Sequence, residues 1–175
     1  MYDGDSLAEP AVRNAEEGGA TDGREILEAA DGRQYVGLPQ YDIRVSAGGG
    51  AVIHSEQIVD ILAFNRSWYE REIGIPVTQV ALFEVHGDSM VPDLHDGDLA
   101  VIDLGKNAFT SNAIYVILEG DALRIKKVSV RVDGKIEIKS SNESYGVETL
   151  TPEQAEQIVV VGRAKRAFPR MRRLP

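Results

Sequence analysis

Apolar and polar residues alternate over much of the second half of the chain, and a period of two predicts β-strands. Six segments from residue 77 onward carry this pattern: residues 80–85, 99–104, 113–118, 123–131, 135–139 and 158–166. Asp-Gly or Gly-Asp pairs at 96–97, 120–121 and 133–134 separate several of them, and an Asp-Gly pair between apolar runs favours a hairpin. The pattern predicts a mainly β fold with a bent, mostly antiparallel sheet.

Two short helices are predicted ahead of these strands. Ser55 is a suitable N-cap for a helix in which the apolar residues have helical spacing. These residues are Ile58, Ile61 and Leu62. A second helical turn is expected around Trp68 and Tyr69. The fold class expected from the sequence is therefore mainly β with one or two short helices.

Residues 1–40 differ in composition from the rest of the chain. They are rich in Gly, Ala and acidic residues, with nine acidic against three basic side chains, and supply much of the net charge of −9. Such a composition is typical of a flexible linker, in which residues 24–30 form a turn or two of helix. A strand over 41–45 then opens the folded domain. We divide the chain into an acidic arm over 1–40, a domain over 41–168 and a basic tail over 169–175.

Composition also narrows the class of protein. There is no Cys and hence no disulfide framework or thiol chemistry. No apolar run approaches the ~20 residues of a membrane span and no signal peptide is visible, so we expect a cytoplasmic protein with no membrane contact. An acidic chain does not supply the basic surface that dominates affinity for DNA. Either a DNA-binding domain belongs to the protein outside this chain, or the protein has none.

Two segments carry the candidate chemistry. Residues 85–92 read Val-His-Gly-Asp-Ser-Met-Val-Pro, which places Ser89 on a Gly-led turn, and residues 122–128 read Ala-Leu-Arg-Ile-Lys-Lys-Val. Ser becomes a good nucleophile when a base removes its proton, and a Lys is such a base when apolar surroundings favour the neutral amine. Alternation puts Lys126 and Lys127 on opposite faces of the strand, so the pattern alone does not decide between them.

The order of these motifs resembles the LexA and phage-repressor family of self-cleaving Ser–Lys peptidases. The matching residues, in order, are Gly-Asp-Ser-Met-x-Pro at 87–92, Asp-Gly-Asp at 96–98, Ile-Tyr-Val at 114–116 and Arg-Ile-Lys-Lys at 124–127. The separation of Ser89 and Lys126, 37 residues, is similar to that in LexA and UmuD and selects Lys126 as the catalytic base. The resemblance covers about residues 41–166.

Within this family the chain resembles phage-type repressors, through Leu-Ala-Phe-Asn-Arg-Ser-Trp at 62–68 and Lys-Ser-Ser-Asn-Glu-Ser-Tyr at 139–145. The resemblance implies a LexA/signal-peptidase-like β domain that forms a homodimer and uses no cofactor. It also implies intramolecular cleavage stimulated by a RecA filament on single-stranded DNA. Operator DNA would be bound only through a helix-turn-helix domain, which we do not find in this chain.

The oxyanion donors and the cleaved bond complete the candidate site. The backbone amides of Asp88 and Ser89 are the expected donors, because a tight turn leaves N–H groups that no sheet uses. Ala47-Gly48 is the expected cleavage site, since small residues let the backbone enter a narrow site and the pair resembles the cleavage sites of LexA and lambda repressor. The alternative is that the glycine run at 48–50 is only a flexible hinge.

A cluster of acidic and histidine side chains follows Val85 and invites a metal interpretation: His86, Asp88, Asp93, His95, Asp96 and Asp98. These acids stand where turns favour Asp, so we expect them to shape the loop and we expect no metal. The apolar residues at 158–162 occupy consecutive positions, which predicts that both faces of this strand are covered. We expect one face in the core and the other in a two-fold homodimer interface.

Two other functions are compatible with the sequence. A UmuD-like subunit of an error-prone polymerase has the same peptidase fold and an N-terminal arm without a helix-turn-helix domain. A non-catalytic module would keep the fold and sense an antirepressor protein. The phage-type segments at 62–68 and 139–145 favour the repressor.

Overall fold

A computed structural model describes residues 24–42, 58–120 and 122–170, which fold into ten strands and two short helices. The strands are β1 Glu25–Glu28, β2 Gln34–Tyr41, β3 Ile58–Asn65, β4 Val80–Glu84, β5 Leu99–Asp103, β6 Ala113–Glu119, β7 Ala122–Val130, β8 Ile136–Lys139, β9 Val147–Leu150 and β10 Val159–Phe168. The helices are α1 Arg66–Glu72 and α2 Pro152–Ala155. The predicted fold class, mainly β with short helices, is confirmed.

The strands pair in the order β1-β2-β4-β5-β10-β6-β7-β8-β9, and β3 pairs with β2 outside this order. Neighbours are antiparallel except β2 and β4, which run parallel. Strand β10 joins the two halves of the sheet and carries irregularities in its pairing with both β5 and β6. Such bulges bend a strand. At the irregularity between β10 and β6, a Cβ on Gly162 would lie 2.7 Å from the carbonyl oxygen of Asp103. The close approach of these two backbones therefore requires a glycine at position 162.

Three clusters of buried side chains form the core. The first includes Met90 and Leu123 and lies beneath the Ser89 turn. The second packs α1 on the sheet and includes Tyr69 and Leu38; burial raises the pKa of Tyr69 to about 12. The third lies among β6, β7 and β8 and includes Tyr115. The Ser89 turn and strand β7 therefore share one apolar cluster. Burial of these large apolar side chains stabilises the packing of the turn against the strand.

The N-terminal part of the chain differs from the expectation. The sequence predicts a flexible arm with a helical turn over 24–30, but residues 25–40 contain strand β1 and nearly all of β2, which form an antiparallel pair. Strand β2 contributes Val36 and Leu38 to the second core cluster and is paired on both edges. This pairing outweighs the low strand propensity of the glycine and proline within it. The arm prediction is wrong for these residues.

The helix expected after Ser55 is also wrong for its described part, because Ile58–Asn65 is strand β3. A spacing of four between Ile58 and Leu62 fits a strand as well as a helix, since four is a multiple of the strand period of two. The helix around Trp68 is confirmed as α1, and the side chain of Asn65 caps it by accepting a hydrogen bond from the Trp68 amide at 3.2 Å.

The six strands predicted from residue 80 onward are confirmed, each end within two residues. Strand β9 and helix α2 were not predicted. Helix α2 begins with a capping box, in which Thr151 and Gln154 bond to each other's backbone, and Pro152 stands at its first turn, a pattern that is readable from sequence. Neither described helix is long and apolar enough to span a membrane.

Candidate active site

The turn that carries Ser89 follows directly after strand β4. Gly87 has φ of 77°, a left-handed conformation that favours glycine, and its amide donates to the carboxylate of Asp96 at 2.9 Å. The amide of Val91 donates to the carbonyl of Asp88 at 3.1 Å and closes the turn around Ser89. The chain thus leaves the sheet, presents Ser89 and folds back.

The acidic residues of this region make turn contacts. Asp98 is almost fully buried and accepts from the amides of His95 at 2.8 Å and Arg170 at 3.1 Å. Val85 and the 97–98 segment exchange backbone hydrogen bonds of 2.8 Å, which bring the end of the loop back beside its start. No group of three His, Asp or Glu side chains among the described residues is arranged to hold a metal ion.

A small pocket of about 130 Å³ lies beside the turn, and both Ser89 and Lys126 line it. The pocket is also lined by His86, by Met90 and by residues 123–125, which precede Lys126 on β7. The Nζ of Lys126 donates a hydrogen bond to the Oγ of Ser140 at 3.2 Å, and Ser140 is only 4% exposed. Within the described part of the chain no hydrogen bond joins Ser89 to Lys126. The structure therefore brings the two residues to one pocket and gives the lysine a different partner.

Lys127, the neighbouring candidate, has a carboxylate partner. Its Nζ lies 2.7 Å from the Oδ2 of Asp93, which also accepts from the hydroxyl of Ser141 at 2.7 Å. The hydrogen bonds from Lys127 and then from Ser141 hold the pKa of Asp93 below its usual value. Lys127 therefore ties the loop after Ser89 to strand β7.

The expected oxyanion donors lie on the turn itself. The amides of Asp88 and Ser89 make no backbone hydrogen bond to any residue that the structure describes. The carboxylate of Asp88 accepts from the hydroxyl of Tyr145 at 2.8 Å, and this contact raises the pKa of Tyr145. An amide that has no hydrogen-bond partner can bind a developing negative charge, so the role of these two amides as oxyanion donors stays a prediction.

The predicted cleavage site, Ala47-Gly48, lies outside the described residues. The strands on either side of it, β2 and β3, pair with each other at Tyr41 and Ile58. Tyr41 also pairs with Phe83 of β4, the strand that leads to the Ser89 turn. His86 Nε2 lies 3.5 Å from the Oδ1 of Asp42, just beyond Tyr41.

Residues 140–145 also contribute to the site, although the sequence does not predict their contacts. Ser140, Asn142 and Tyr145 touch the Lys126 amine or the Ser89 turn. The signal was available in part. A hairpin centred on Asp133-Gly134 pairs residues on either side of it, and continuing that register places Ser140 opposite Lys126.

The chain belongs to the peptidase S24-like family, whose model matches residues 39–165. The resemblance to LexA and phage repressors is thereby confirmed at the level of the family. The chain is 24% identical to the 26 kDa repressor protein of Escherichia phage HK022 over 145 residues, 81% of this chain and 61% of that protein. It is 32% identical to Repressor protein CI of Enterobacteria phage phi80 over 109 residues, 61% of this chain and 46% of that protein.

A bacterial relative, the HTH-type transcriptional regulator PrtR of Pseudomonas aeruginosa, is 30% identical over 131 residues, which cover 73% of this chain and 51% of the regulator. The chain thus spans roughly half of the length of these three relatives, from 46% to 61%. All three are named as repressors or transcriptional regulators, in keeping with the predicted class.

Proposed function

We propose that this chain is the regulatory domain of a phage-type transcriptional repressor and that it cleaves its own backbone by Ser–Lys chemistry. The observation that carries the proposal is the shared pocket of Ser89 and Lys126, in a chain of the peptidase S24-like family. The names of its relatives support the regulatory role.

The proposed reaction uses the residues of this pocket and the predicted cleavage site, Ala47-Gly48. The neutral amine of Lys126 takes the proton from the Oγ of Ser89, which attacks the carbonyl carbon of Ala47. The amides of Asp88 and Ser89 donate hydrogen bonds to the oxyanion that forms. The proton then passes from Lys126 to the departing amine of Gly48, and water hydrolyses the ester on Ser89 to leave a carboxylate on Ala47. The reaction needs no metal or cofactor.

The proposed partners follow from the family resemblance. A RecA filament on single-stranded DNA stimulates cleavage, and a helix-turn-helix domain outside this chain binds operator DNA in the cytoplasm. A dimeric repressor gains affinity by engaging two half-sites at once, so cutting the connection between the two domains lowers operator occupancy without changing a base contact.

Incubation of the purified chain at increasing pH tests the chemistry. The protein is expected to split slowly into two fragments, and faster at alkaline pH, because the reaction requires a neutral amine as its general base. Ser89→Ala removes the nucleophile and is expected to abolish the splitting. Cleavage of Ser89→Ala at the wild-type rate would show that Ser89 is not the nucleophile.

The proposed homodimer is assigned to the exposed start of strand β10. Val160 packs with the third core cluster and Val161 with the first, whereas Val159 is 36% exposed. A charge at an isologous interface lies close to its own symmetry copy. Val159→Asp is therefore expected to convert a dimer to a folded monomer by light scattering, while Val160→Asp is expected to unfold the domain by circular dichroism. A wild-type chain that is monomeric at high micromolar concentration would contradict the dimer.

One observation favours a second function. The Lys126 amine bonds to Ser140, and no hydrogen bond to Ser89 is present among the described residues. A module that has lost cleavage and senses an antirepressor protein through the same fold would keep such an arrangement. The alkaline incubation separates the two functions, since this module does not split at any pH.

A further inference from the structure

The segment between β8 and β9, residues 140–145, contacts both members of the proposed dyad. At its start, the hydroxyl of Ser140 accepts from the Nζ of Lys126 at 3.2 Å. Two residues later, the amide of Asn142 donates to the carbonyl of Ser89 at 3.0 Å. Lys126 and Ser89 belong to different elements, a strand and a turn. A third element that binds both of them fixes one relative to the other.

Ser140 is placed to hold the amine of Lys126. Strand β7 pairs with β8 at Lys127 and Lys139. Continuing this antiparallel register by one residue places Lys126 opposite Ser140, which directly follows β8. A hydroxyl accepts a hydrogen bond from an ammonium and donates one to a neutral amine. Ser140 therefore orients the side chain in both protonation states, and as a buried group it is shielded from competing water.

Asn142 and Tyr145 act on the other side, at Asp88. The carbonyl of Asp88 accepts from the side-chain amide of Asn142 at 3.3 Å as well as from Val91, and its carboxylate accepts from the hydroxyl of Tyr145. The carbonyl of Asp88 and the amide of Ser89 belong to one planar trans peptide, so they point in opposite directions. Holding the carbonyl therefore sets the direction of the Ser89 N–H, one of the proposed oxyanion donors.

We propose that three residues between β8 and β9 have positioning roles: Ser140 orients the Lys126 amine, while Asn142 and Tyr145 orient the peptide that donates to the oxyanion. This inference rests on the proposed Ser–Lys function and assigns roles to residues outside the dyad. None of the three side chains is expected to touch the cleaved bond. Their effect on rate comes from geometry, since a misplaced catalytic group costs on the order of tenfold or more.

Two substitutions and two matched controls test the segment. Ser140→Ala is expected to slow self-cleavage about tenfold and Ser140→Thr, which restores a hydroxyl, to recover most of the rate. Tyr145→Phe, at an exposed position where folding is not at risk, is expected to slow it about threefold, because Asn142 and Val91 still hold the peptide. Ser144→Ala removes an exposed hydroxyl of the same segment and is expected to leave the rate unchanged.

Each variant is measured by self-cleavage and by the rate at which a fluorophosphonate labels Ser89, with unfolding temperature as the check on folding. If the wild type neither cleaves nor is labelled, the proposed function fails and this inference fails with it. If the wild type reacts and both Ser140→Ala and Tyr145→Phe react at its rate, the positioning role alone is wrong. A loss in Ser140→Ala that Ser140→Thr does not recover would also overturn the role of the hydroxyl.

Discussion

Two adjacent lysines of strand β7 have different surroundings. Lys126 lines the small pocket with Ser89 and donates to a buried hydroxyl, that of Ser140. Lys127 points to the other face of the strand and binds the carboxylate of Asp93, with its own side chain 43% exposed. Alternation along one strand is sufficient to separate the two environments.

The nature of the partner decides what each amine can do. A carboxylate stabilises the charged form of a neighbouring cation, and an amine that remains charged cannot accept a proton. A hydroxyl is a partner for the neutral amine as well as for the ammonium. The pocket lysine therefore fits the role of a general base, and its neighbour fits the role of a structural tie between β7 and the loop after Ser89.

The largest expected effect is on the rate of self-cleavage when each lysine is replaced by alanine. Lys126→Ala is expected to lower self-cleavage at alkaline pH by about a thousandfold, the usual scale for loss of a general base. Lys127→Ala is expected to retain most of the rate, because it removes only the contact to Asp93. Fragment yield on a denaturing gel measures both, and equal losses in the two variants would remove the distinction between the lysines.

A smaller effect is expected at the glycine that starts the Ser89 turn. Gly87 has a left-handed φ of 77°, and a Cβ there would meet no atom within 4 Å. Gly87→Ala therefore costs mainly backbone strain, about 1–2 kcal/mol of unfolding free energy. Urea denaturation measures the loss. A variant as stable as the wild type would show that the turn tolerates other backbone conformations.

The smallest expected effect is on the Lys127 side. Hydrogen bonds from Lys127 and Ser141 lower the pKa of Asp93 in the folded protein from its usual value of 3.8. The ionised carboxylate therefore stabilises the fold at pH values above 3.8, and this stabilisation is lost as the pH falls through the lowered pKa. Because the pair is partly exposed, the gain at neutral pH is below about 1 kcal/mol. Asp93→Asn is expected to be slightly less stable at pH 7 and equal to the wild type in strong acid. A difference that persists in strong acid would point to a packing role instead.

How much the sequence predicts differs between the two halves of the chain. From residue 80 onward, short alternating runs separated by turn residues predict the Ser89 turn and every described strand except β9. Before residue 66 the prediction fails, because strand β2 contains Gly37 and Pro39 and its burial comes from pairing with distant segments. Those contacts have no local signal. A spacing of four in β3 is equally ambiguous between helix and strand.

The candidate site shows the same limit. Ser89 and Lys126 are recognisable from motif and separation, whereas the bonds of Ser140 and Tyr145 depend on where the β8–β9 segment lies in three dimensions. The register of one hairpin places Ser140 beside the lysine, but no local pattern indicates that Tyr145 reaches Asp88, 57 residues earlier in the chain.

Mass spectrometry of the alkaline cleavage products tests the central claim most directly. The wild-type chain is expected to give two fragments, one ending at Ala47 and the other beginning at Gly48, and Lys126→Ala is expected to give neither. Gly48→Glu is expected to block the same cut by placing bulk and charge where a bare backbone is needed. Fragments that end elsewhere, or the same fragments from Lys126→Ala, would contradict the account.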